Sequence, residues 1–98
     1  MLTISSTAIT LEDAITAAAG EDFKIPNDAN VAEIIVLSNE IRILSDGNTP
    51  TDTIGLPVSS SGNINGRLFH GHDIKRVKMI ATGSDASVYV SLGNSTLF

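Results

Sequence analysis

After Pro26 no stretch of this chain repeats its apolar residues at helical spacing; they come instead in short, mostly alternating runs cut by glycine, proline, asparagine and serine. Parallel strands need crossover connections of a dozen or more residues, usually helical, and none is present, so the strands must pair antiparallel. About six or seven short strands at turn-punctuated intervals predict a mainly β fold, a small antiparallel β-sandwich or jelly-roll-like barrel with one short N-terminal helix. At 98 residues the chain is expected to form one domain, 1–98, with 1–30 as an N-terminal arm and short helix and 31–98 as the β-sandwich.

The helix is predicted within "TLEDAITAAAGED", where Thr10 can cap the first turn, Glu12 and Asp13 suit the dipole, and Gly20 can end it. Leu11, Ile15 and Ala18 or Ala19 would form its apolar stripe. "LTISSTAIT" before it reads as a short strand or an arm, and "IPNDAN" at 25–30 reads as a turn. "AEIIVLS" at 32–38 is almost continuously aliphatic, which predicts a central strand covered on both faces. "EIRIL" at 40–44 alternates, with Ile41 and Ile43 inward and Glu40 and Arg42 outward. Asp46-Gly47 signals a reversal, and Pro50 suits a segment crossing a sheet edge. Further strands are expected at 53–58, 64–71, 75–82 and 86–92, the last two joined as a hairpin by "GSD".

Charged residues make up 17% of the chain, below the usual quarter or so, and hydroxyl and asparagine side chains take their place. Such a surface pairs with other subunits at low desolvation cost. The net charge of −5 argues against general nucleic-acid binding. Its distribution is uneven, −7 over residues 1–60 and +2 over 61–98, a pattern that would suit head-to-tail packing. With no cysteine there are no disulfides, thiolate metal sites or thiol nucleophiles. No apolar run reaches the ~20 residues of a membrane span, and "MLTISSTAIT" lacks a basic leader, so an intracellularly made, soluble product without membrane partners is expected.

"HGHD" at 70–73 is the most chemistry-like tetrapeptide, since His70 and His72 would share one strand face. A metal wants further ligands, yet no third histidine exists and no glutamate follows Glu40, so hydrogen-bonding loop histidines are the expected reading and no cofactor is predicted. Asp46, Asn48 and Asp52 could converge on calcium, but Pro50 and Pro57 occupy ligand positions of the EF-hand pattern, leaving loop-stabilising Asx turns. There is no "GxSxG" elbow, no phosphate-cradling glycine loop, and no catalytic residue to nominate. "NST" at 94–96 fits the glycosylation pattern, without consequence in the absence of a secretory route. Two surface elements are candidates for subunit contact: the polar loop bearing Asp46, Asn48, Thr49, Pro50 and Thr51, and the basic cluster Lys75, Arg76 and Lys78.

From Val31 to Leu92 the order of features resembles a group of small tailed-bacteriophage and prophage virion proteins. It comprises an aliphatic strand, a strand ending "SDG", "TPT" at 49–51, a Gly55-containing strand, a glycine-bearing turn and the closing "VKMIATGSDASVYVSLG". "LEDAITAAAG" upstream resembles the short helix such proteins often carry, whereas "HGHD" departs from the pattern. The resemblance implies a non-enzymatic capsid decoration (cement) protein or minor head or tail accessory subunit. It would be made in the bacterial host cytoplasm and resident in the virion, a homo-oligomer with a trimer favoured, bound to capsid or tail proteins. Two other readings compete: a sugar- or receptor-binding β module, in which Tyr89 or Phe69 would stack on ligand, and a metal-dependent β-barrel enzyme centred on His70 and His72.

Overall fold

A computed structural model describes residues 2–25, 29–61, 66–93 and 95–97, with only the backbone of 71–73 and 95–97. The helix α1 spans Leu11–Ala19 and has the predicted caps. Thr10 accepts the amide of Asp13 through its hydroxyl, and Gly20 takes the left-handed conformation at φ 78° while donating to the Thr16 carbonyl. Its buried stripe is Leu11, Ala14 and Ile15. Ala18 and Ala19 are exposed, because the helix lies against the rim of the sheets and only its first two turns reach apolar neighbours. Two helix side chains then hold the next segment: Thr16 accepts the Phe23 amide at 3.0 Å and Glu12 the Ile25 amide at 3.1 Å.

Among the described residues nine strands form two antiparallel sheets. The first contains β1 (Leu2–Ile4), β3 (Val31–Ser38), β6 (Gly66–His70), β8 (Ala86–Leu92) and β9 (Ser95–Leu97), in the order β1-β8-β3-β6 with β9 also on β8. The second contains β2 (Ile9–Thr10), β4 (Glu40–Leu44), β5 (Leu56–Ser59) and β7 (Lys78–Ala81), in the order β2-β7-β4-β5. Their inward side chains form one core: Ile34, Val36, Val88 and Val90 from the first sheet, with Ile41, Ile43, Val58 and Met79 from the second. The fold is therefore a small β-sandwich, not closed into a barrel. Among the described residues no polar or charged side chain is buried, so packing of aliphatic side chains carries the core, each fully buried one contributing about 1.5–3 kcal/mol.

Several expectations are corrected. The N-terminal segment is no separate arm: β1 and β2 add a strand to each sheet, Leu2 and Ile4 are fully buried, and the sandwich begins well before residue 31. Strand β3 is central, between β8 and β6, but is covered on one face only; Ala32, Ile34 and Val36 are buried, Val31, Glu33 and Ile35 half-buried, and Leu37 is 50% exposed. Gly83–Asp85 does not close a hairpin, because β7 and β8 lie in different sheets. Residues 71–76 form a 3₁₀ turn, so the strand expected over 75–82 shrinks to β7. The strand expected at 53–58 begins only at Leu56. Pro26, Asn27 and Asp28 of the expected 25–30 turn, and residues 62–65, lie outside the described residues.

Among the described strands the chain changes sheet at most connections; only β4 to β5 and β8 to β9 stay within one. Two crossings stand side by side and brace each other. Asn39, left-handed at φ 64°, turns the chain from β3 to β4 and donates its side-chain amide to the Asp85 carbonyl at 2.8 Å. Ser87 donates its amide to the Ser38 hydroxyl at 3.2 Å, and Thr82 its amide to the Glu40 carbonyl at 3.3 Å.

Candidate interaction surface

The polar loop from Asp46 to Gly55 connects β4 to β5 and is bonded to itself and to the sheet beneath at successive points along its length. At its start both carboxylate oxygens of Asp46 accept from Asn48, one from the backbone amide at 3.0 Å and one from the side-chain amide at 2.9 Å. This is the Asx turn expected from the sequence, closed by Gly47 at φ 89°. Further on, the Thr51 hydroxyl accepts the amides of Thr53 and Ile54, and the Thr51 amide donates to the Ile54 carbonyl, making a closed polar turn.

Arg42 ties this loop to the sheet. On the outward face of β4 its guanidinium donates to the Asp52 carbonyl at 3.1 Å and to the Gly55 carbonyl at 2.8 Å. Gly55 sits at φ 126°, and a β-carbon there would come within 3.1 Å of Arg42 Cβ and 3.3 Å of the Ile43 backbone, so the close approach requires glycine. From β7, the Lys78 ammonium donates to the Gly47 carbonyl at 3.3 Å. Pro50 is buried, so it shapes the loop from within and presents little to a partner.

The loop and the basic cluster, far apart in sequence, thus meet at one corner of the molecule. Besides the Lys78 contact, the Arg76 charge acts on Asp46, whose carboxyl is held below its ordinary value first by the Asn48 backbone amide, next by the Asn48 side chain, and to a smaller extent by Arg76. Lys75 and Arg76 are exposed and stand on the 3₁₀ turn, not on a strand face as expected. What faces solvent at this corner is Asp46, Asn48, Thr49, Thr51 and, at the loop's far shoulder, Ile54 at 57% exposure. Sequence reading missed Arg42 as the brace and Ile54 as an outward apolar group. The available signal was an arginine on the outward side of an alternating strand that leads into a polar loop.

Both carboxylate oxygens of Asp46 accept from Asn48, and Asp52 enters the bracing through its main-chain carbonyl. Among the described residues no group of three metal-ligating side chains occurs. His70 ends β6 in an exposed position, while the side chains of His72 and Asp73 and residue Asn94 lie outside the described residues. Phe69 is only 8% exposed, so it offers no stacking face, and Tyr89 lies half-buried on the outward face of β8. Two open grooves of about 320 and 300 Å³ flank Gly83, with Ser6, Thr51 and Asp52 along one and Glu40, Ser59 and Ser61 along the other. No described helix is long and apolar enough to cross a membrane.

Compared with protein-family models, curated proteins and solved structures, the chain has no match.

Proposed function

We propose that this chain is a non-enzymatic structural subunit of a tailed-phage virion, a capsid decoration (cement) protein or head or tail accessory subunit. It is made in the bacterial cytoplasm, associates with copies of itself, and binds the particle lattice through many weak contacts. The observation that supports this reading is the braced loop: it holds a polar surface with Ile54 at 57% exposure in one shape before any partner arrives. A loop ordered in advance loses little entropy on docking, so a small contact suffices, and repetition over a lattice multiplies it. The resemblance in feature order over Val31 to Leu92 supplies the particle.

Cosedimentation with assembled particles tests it. The chain should pellet with particles at a fixed ratio to the major shell subunit, and Ile54→Asp should lower that occupancy at least tenfold while leaving the circular dichroism unchanged. A chain that stays wholly in the supernatant is not a virion subunit. The hydroxyl-lined grooves beside Gly83 favour a second reading, a carbohydrate- or receptor-binding β module. A glycan array positive for the native chain and lost on Asp52→Ala would select it.

A further inference from the structure

A sheet edge offers unpaired backbone groups to any passing strand, and folds blunt their edges by shortness, cover or proline. Three of the four edges here are blunted. Strand β2 has two residues and β1 three, and α1 packs against both; β9 has three residues. Strand β5 carries Pro57, which has no N–H to donate. Strand β6 differs from all of these. Its five residues, Gly66 to His70, carry one charge at Arg67 but no proline, pair with β3 in unbroken register, and have no described strand on their other side.

The strand's centre is Leu68, opposite Glu33 on the outward face and 54% exposed. We infer that β6 pairs antiparallel with the β6 strand of a second copy about a two-fold axis at Leu68, joining two first sheets into one continuous sheet. The strand's own sequence fits that operator. Leu68 meets Leu68, and two exposed leucines directly opposite each other shield one another from water. Arg67, paired with Ile34 on the β3 side, meets Phe69 of the other copy and not another cation. Gly66, without a side chain, meets the bulky His70. No like charges are opposed. The contact is isologous and closes at a dimer, where the resemblance favours a trimer. It deepens the self-association in the proposed function by naming the surface and the stoichiometry, and it requires no particle.

The chain has no cysteine, so a single introduced thiol reports one contact. In Leu68→Cys the two thiols face each other across the axis at a separation a disulfide can span, and mild oxidation of the full chain should give a covalent dimer. Leu37→Cys, 50% exposed on the same outward face but away from the edge, should remain mainly monomeric under the same oxidation. Sedimentation of the native chain from about 1 µM to 1 mM, the range of small interfaces, should show a monomer–dimer equilibrium, weakened at least tenfold by Leu68→Lys with the circular dichroism unchanged. A native chain that is monomeric throughout, a trimer, or cross-linking at Leu37 as fast as at Leu68 would overturn the inference. Since no particle enters these measurements, their failure leaves cosedimentation untouched, and a dimer that ignores particles refutes only the virion reading.

Discussion

Arg42 is the residue on which the loop depends most, because its guanidinium satisfies two carbonyls that nothing else within the loop reaches. Arg42→Ala should destabilise the protein by about 1–3 kcal/mol, the cost of two charge-assisted bonds at a half-exposed position. Chemical denaturation would measure the loss, and hydrogen exchange should speed up selectively over residues 51–55. Asp46 gives a prediction in pH. Its folded pKa is depressed, so the stabilisation it contributes is complete above the unfolded value of about 3.9 and disappears as pH falls through the lower, folded value. A carboxyl-carbon NMR titration should place the Asp46 midpoint below that of an unstructured aspartate, and Asn48→Ala should move it upward by removing the side-chain donor.

At the scale of elements, the paired crossings at 38–40 and 82–87 decide which strand enters which sheet. Asn39 serves both as a left-handed corner and as the donor that ties one crossing to the other. Asn39→Ala should therefore cost about 2–3 kcal/mol, combining the steric penalty of a left-handed alanine with a lost hydrogen bond, whereas Asn39→Gly should cost only about 1 kcal/mol. Thermal unfolding of the two variants side by side would separate the contributions; equal midpoints would assign Asn39 no conformational role. The helix was legible in full at its ends, since caps are local chemistry. Its buried face was not, because which alanines meet the sheets depends on where the helix docks.

For the whole molecule, stability rests on one small core shared by two sheets. Ile34 lies at its middle and is fully buried, so Ile34→Ala should cost about 2–5 kcal/mol, a large part of the total for a domain this size. Calorimetry should show a strongly lowered melting temperature, and any solution dimer should weaken with it, since β6 is registered on β3. The outward face of the first sheet, with Leu37 and Leu68 half-exposed, explains why β3 reads in sequence as covered on both faces. Its aliphatic composition is real, but only the inward half of it is fully buried, while Val31 and Ile35 on the other face are half-buried.

Local chemistry alone determined that the chain is mainly β and antiparallel, where its helix starts and stops, the Asx turn at Asp46, and the inward face of β4. These follow from residue type and period, which act between near neighbours. Assignment of strands to sheets, the entry of β1 and β2 into the sandwich, the burial of Pro50 and the meeting of Arg42, Lys78 and Arg76 with the loop were decided only by tertiary structure. The physical reason is that a period of two marks an inward side without saying which sheet that side belongs to, and long-range contacts have no signature in the spacing of the residues that make them.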